Sequence, residues 1–88
     1  MRKDDAGKLR WRLLPWAAVE RVVEVLEYGA KTYSEDGWRT VPDGRRRYTD
    51  ALIRHMVAYL RGEERDATSG LWHMAHVACN ALFLLELK

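Results

Sequence analysis

The 88-residue chain carries 15 basic and 13 acidic side chains, a net charge of +2, with 48% hydrophobic and 32% charged positions. That balance fits one small globular domain over residues 1–88 and not a disordered segment. The charge is too small to point to a nucleic-acid polymer as partner.

The opening "MRKDDAGK" has no apolar run of the kind a signal peptide needs. Residues 1–14 read as a lead-in, charged and then apolar. Pro15 suits the first position of a helix, and Val19, Val22, Val23, Leu26, Ala30 and Tyr33 recur at helical spacing, predicting helix 1 over about 15–33. Trp16 fits its core. Gly29 inside this helix costs up to ~1 kcal/mol relative to alanine, which suggests a close approach to the backbone there. "DGW" and "PDG" mark a loop over 34–46. Helix 2 follows over about 45–61, with Tyr48, Leu52, His55, Met56 and Tyr59 on one face and Gly62 as its stop.

After a second loop, helix 3 spans about 70–87 in "SGLWHMAHVACNALFLLELK". Its apolar stretch, Leu71 to Leu85, is broken by polar residues and is shorter than the ~18 residues of a membrane span. Cys79 within it is the single cysteine. It reads as a buried, inert thiol and fits a reducing cytoplasm. Apolar residues surround helix 3 on nearly every side, so it needs cover on every side. Two short helices cannot provide that. The expected architecture is an all-α, three-helix protomer assembling into an oligomeric bundle, a dimer or tetramer.

Three polar residues interrupt this helix. His73, His76 and Asn80 are spaced three and four apart and form one stripe. Buried without partners, each would cost about 1–3 kcal/mol. Either the histidines are satisfied core or interface residues, or His73 and His76 face an ion with Asp66. Such a nitrogen and carboxylate set suits Mn, Co or Zn better than Mg. Asp66 equally suits a cap near the start of helix 3. On helix 1, Glu20, Glu24, Glu27 and Lys31 form a second stripe. It is either a solvated face with an ion pair or a bank of hard oxygen ligands for Mg²⁺ or Mn²⁺. Lys8, Arg10 and Arg12 flank Trp11, and Arg45, Arg46 and Arg47 open helix 2. These are solvated charges or phosphate sites. Trp11, Trp38 and Trp72 are candidate stacking platforms. No serine elbow or glycine-rich phosphate loop is present, so covalent catalysis is not expected.

Four stretches, "KLRWRLLP", "VVEVLEYGAKTYSEDGW", "RYTDALIRHMVAYLRGEERD" and "SGLWHMAHVACNALFLLE", cover most of the chain. In order and content they resemble the phage dATP/dGTP diphosphohydrolase-like domain, a relative of the MazG-type all-α nucleotide pyrophosphohydrolases. The resemblance implies a helical oligomer using a divalent metal, Mg or Mn, to cleave a purine deoxynucleoside triphosphate to monophosphate and pyrophosphate. It implies metal-ligand and catalytic roles for Glu24, Glu27 and Asp66. His73, His76 and Asn80 would line the same pocket, with His55 beside them. Lys8, Lys31 and Arg47 would neutralise phosphates, and Trp38 would contact the base.

The chain departs from the broader MazG-type pattern in two places. The Glu-Glu-x-x-Glu group is loosened to Glu20, Glu24 and Glu27, and Glu-x-x-Asp is replaced by His73-x-x-His76. Three functions follow: a metal-dependent nucleotide pyrophosphohydrolase, a nucleotide-sequestering phage protein without turnover, or a helical interaction protein whose His-Asn stripe joins subunits.

Overall fold

The computed structural model describes residues 5–87. Residues 1–4, part of the expected lead-in, and Lys88 lie outside them. Three helices carry the fold: α1 (Trp16–Thr32), α2 (Gly44–Leu60) and α3 (His73–Glu86), with short 3-10 turns at Trp11–Leu13 and Gly37–Thr40. No strand occurs among the described residues, in keeping with the all-α reading. No described helix is long and apolar enough to cross a membrane.

Local chemistry sets the helix ends. Pro15 stands at the N-cap of α1, one residue earlier than expected, and its carbonyl accepts the amides of Ala18 and Val19. α2 ends in a Schellman turn. Gly62 has φ +96°, its N–H donates to Tyr59 O at 2.9 Å, and the Glu63 N–H donates to Ala58 O at 3.0 Å. This turn aims Glu63 back toward the third helix. α3 begins at His73, later than the periodicity suggests, because the preceding segment bonds to itself. Asp66 N–H donates to Leu71 O at 2.7 Å, Gly70 N–H to Asp66 O at 2.8 Å and His73 N–H to Glu64 O at 2.8 Å. Arg65 and Trp72 pair as an isolated antiparallel bridge, with the Arg65 guanidinium 4.0 Å over the Trp72 ring.

α3 is the centre of the protomer. α2 runs antiparallel to it, pairing Tyr48 with Phe83 and His55 with His73 and His76. α1 packs on another face, where Val25 meets Ala75 and Cys79, ringed by Val22, Leu71, Trp72 and Phe83. Small residues at 75 and 79 share one face of α3 and let α1 approach closely. Burial pushes the Cys79 thiol up to about 11, so it stays protonated and inert. Val25, absent from the apolar stripe read along helix 1, is that helix's buried residue, whereas Val23 and Leu26 remain exposed. Trp16, expected in the core, is 52% exposed at the first position of α1, away from the Val22 and Val25 contacts with α3.

The protomer is elongated, 53 × 31 × 22 Å, with a radius of gyration of 15.6 Å. A compact domain of this length has a radius of about 12 Å. Exposed apolar residues remain on all three helices, including Ile53, Val57 and Leu60 on α2 and Met74, Leu82 and Leu85 on α3.

Two glycines make opposite predictions. A Cβ at Gly62 would meet no atom within 4 Å, but its φ lies in the left-handed region. Gly62→Ala should therefore lower stability by about 1–2 kcal/mol through backbone strain alone. A Cβ at Gly29 also meets nothing within 4 Å, and the backbone there is ordinary helix. No described group makes the close approach its sequence position suggested. Gly29→Ala should raise stability by about 0.5–1 kcal/mol. Thermal melts of both variants check the pair.

Candidate functional site

The polar stripe of α3 faces α2 and the connection between the two helices. His73 is 3% exposed and Asn80 is 8% exposed. Asn80 turns its amide back onto its own helix, donating Nδ2–H to His76 O at 2.8 Å. Among the described residues no buried side-chain nitrogen or oxygen lacks a partner. The desolvation cost of the stripe is thus met inside the protomer.

His73 is bonded at both ring nitrogens. Its Nε2 lies 2.9 Å from Glu63 Oε1, and its Nδ1 lies 2.8 Å from His55 Nδ1. With both rings neutral, His73 donates through Nε2–H to Glu63, so its Nδ1 accepts and His55 supplies the shared proton. A second group is built on Asp66. Its Oδ2 accepts the Ser69 N–H at 2.8 Å, an Asx turn, so the carboxylate organises the loop and does not cap α3. Ser69 Oγ in turn accepts the Leu71 N–H at 3.1 Å and lies 2.8 Å from His76 Nε2. The His76 ring stacks on His55 at 4.3 Å and 7°.

One potential ligand atom from each of His55, Asp66 and His73 lies within 4.8 Å of the others. The spacing of α3 pointed to His76 as the second nitrogen, but His76 is engaged by Ser69 and His55 takes its place. Spacing along one helix could not have shown this, because His55 arrives from the antiparallel neighbour.

Glu24, Glu27 and Lys31 lie elsewhere, in an open groove of about 550 Å³ along α1 that is closed on one side by Ser69 and Leu71. Glu20 and Arg21 also line it, and Arg21 pairs with Glu24 at 3.4 Å. None of His73, His76 or Asn80 lines this groove; Ser69, bonded to both Asp66 and His76, joins it to the histidine cluster. The remaining candidates sit apart. Trp38 stacks on Phe83 at 4.2 Å, under the Arg39 guanidinium, and its carbonyl accepts the Tyr48 hydroxyl. Phe83 is ten residues from His73, roughly 15 Å along the helix, so Trp38 packs the far end of α3. Arg47 is exposed on the first turn of α2, at that same end, and Lys8 is exposed in the lead-in.

Two groups central to the site, Glu63 and Ser69, belong to the stretches that carry the family resemblance but were given no role in the sequence reading. The signals were present: a glycine stop placing Glu63 next in the chain, and the Asp66-x-x-Ser69 spacing of an Asx turn.

Burial, reinforced by the neighbouring His76, pushes the His55 pKa down to about 4. Burial also lowers His76, against the attraction of Asp66. Partial burial would raise Asp66, but the amide and hydroxyl of Ser69 outweigh it and hold the carboxyl below its ordinary value. Between the ordinary 6.5 and about 4, the unfolded chain binds a proton at His55 that the folded chain does not. Stability from this site is complete above pH 6.5 and declines as pH falls toward 4. Allowing for solvent screening, the loss is about 1–2 kcal/mol. Melting temperatures of the metal-free protein should fall over this window, and His55→Gln should flatten the decline.

Comparison with known proteins identifies the lineage. A family model described as dATP/dGTP diphosphohydrolase, N-terminal, matches residues 1–88. A Salmonella phage PMBT28 protein named dATP/dGTP diphosphohydrolase is 31% identical over 85 residues, covering 97% of this chain and 29% of that protein. The chain thus spans less than a third of the relative's length. No solved structure matches. With the family model covering the whole chain, the protein belongs to the family of dATP/dGTP diphosphohydrolase N-terminal domains.

Proposed function

We propose that this domain binds a purine deoxynucleoside triphosphate and, with a divalent cation, hydrolyses it to monophosphate and pyrophosphate. The observation that carries this reading is the α1 groove, which Glu24, Glu27 and Lys31 line together with Ser69, whose amide Asp66 holds. Its volume suits a small-molecule ligand. Family membership supports the substrate class.

The donor chemistry fits a hard cation. Glu24, Glu27 and Asp66 supply carboxylate oxygens, and Asp66 is held in its ionised form. A bound Mg²⁺ or Mn²⁺ supplies charge neutralisation on the phosphates and acidifies coordinated water. The chain's own residues do the rest. Lys31 places positive charge on the groove wall. Ser69 fixes the position of Asp66. His55, neutral at neutral pH, lies beside that carboxylate. Lys8, Trp38 and Arg47 are not placed in this groove.

The test is a nucleotide panel with Mg²⁺ or Mn²⁺, scored by pyrophosphate release and by analysis of the protein-bound fraction. Release from dGTP or dATP is the expected outcome. Asp66→Asn should reduce turnover at least ~100-fold with helical content preserved, and Lys31→Ala should raise KM about tenfold or more through loss of a charge-assisted phosphate contact. The thinned acidic set, with His73-x-x-His76 where the broader pattern has an acidic pair, favours a second reading, sequestration without turnover. Recovery of intact nucleotide from the protein, with no pyrophosphate released, would establish it.

We also propose that the domain works as a homo-oligomer, supported by the elongated shape and the exposed apolar residues of α2 and α3. Sedimentation should give a dimer or tetramer, and Leu82→Asp should shift it toward the protomer mass.

A further inference from the structure

We propose that His55, Asp66 and His73 form a binding site for a borderline transition-metal ion, of the class of Zn²⁺ or Co²⁺, whose two imidazoles stand apart from the Glu24 and Glu27 carboxylates of the α1 groove. The inference does not depend on nucleotide turnover; it concerns what this cluster binds.

Three observations support it. First, the Nδ1 atoms of His55 and His73 face each other at 2.8 Å. Only one proton fits between them, and a cation can take its place. Zn–N bonds of about 2.0–2.1 Å in a tetrahedral sphere need a nitrogen separation of about 3.3 Å, so the rings must part by roughly half an ångström. That is a side-chain adjustment, with no change of helix pairing. Second, Asp66 brings a carboxylate oxygen within 4.8 Å of one ring nitrogen of each histidine. Two imidazoles and a carboxylate select borderline metals, whereas Mg²⁺ prefers an octahedral shell of oxygen. Third, the far nitrogen of His73 is already bonded to Glu63 at 2.9 Å. A ligating imidazole characteristically donates its other N–H to a carboxylate, which fixes the ring and raises its basicity. Glu63 fills that role here, placed by the Gly62 turn. Three protein ligands leave one tetrahedral position for water or an anionic ligand.

Metal titration separates a metal site from a purely structural polar network. Metal-free full-length protein is titrated with Co²⁺, Zn²⁺ and Mg²⁺ by calorimetry, with visible absorption reporting the Co²⁺ ligand field. One Co²⁺ per chain should bind at least ~100-fold more tightly than Mg²⁺, with the intense spectrum of a low-coordinate nitrogen and oxygen site. His55→Gln and Asp66→Asn should each weaken it tenfold or more. Glu63→Gln should weaken it about 10–100-fold with helical content unchanged. His73 is avoided because its burial makes its loss a folding risk. Co²⁺ binding that survives both His55→Gln and Asp66→Asn would overturn the proposal. So would Mg²⁺ binding of equal strength, or loss of Co²⁺ in Glu24→Gln with Glu27→Gln but not in His55→Gln. Pyrophosphate release by the same variants is a separate readout, so failure of the metal assignment leaves the nucleotide reading standing, and the reverse.

Discussion

Burying the His73 ring to 3% exposure obliges the chain to find a partner for each of its two nitrogens. Much of the site's architecture follows from that requirement. One partner, His55, must come from α2, which fixes how that helix pairs with α3. The other, Glu63, must come from the first residue after the α2 stop, and so depends on the left-handed turn at Gly62. A helix end, a helix pairing and a polar cluster are thereby one structural problem with one solution. If the turn at Gly62 relaxed, Glu63 would leave, and the buried ring would face the desolvation penalty of an unpaired polar group.

The Asp66 loop adds the functional dimension. Its carboxylate bonds the Ser69 amide, and the Ser69 hydroxyl reaches His76, so the loop is tied at both ends of that serine where it borders the α1 groove. The glutamates of α1 and the histidines between α2 and α3 thus stand on either side of a single serine. A site organised this way holds its charged groups before a ligand arrives, which reduces the ordering cost of binding.

Much of this was legible in the sequence, with limits set by physics. Periodicity placed all three helices, and the Gly62 stop was visible because only glycine fits that backbone region cheaply. The polar stripe on α3 was equally plain. What it faced was not, because pattern within one helix says nothing about which residue the neighbouring helix presents. The replacement of His76 by His55 in the metal-capable set is a tertiary fact. Trp38 shows the same limit: a loop aromatic beside Arg39 reads as a stacking platform, and its stacking on Phe83 is a tertiary fact. Trp16, read as core, is exposed, and Val25, outside the stripe, is the buried residue, because α1 meets α3 around Val22 and Val25. The stripe of helix 1 gave the apolar positions but not the angle of approach.

We propose that the cluster of His55, Asp66 and His73 and the adjoining α1 groove form the ligand-binding centre of this domain. Paramagnetic broadening of NMR signals by sub-stoichiometric Mn²⁺, recorded with a slowly hydrolysed purine nucleotide analogue, tests it most directly. Broadening centred on the side chains of His55, Asp66 and His73 and on Glu24 and Glu27 is the predicted result. Broadening centred on the Trp38 and Phe83 end of α3, with the histidine signals untouched, would contradict it.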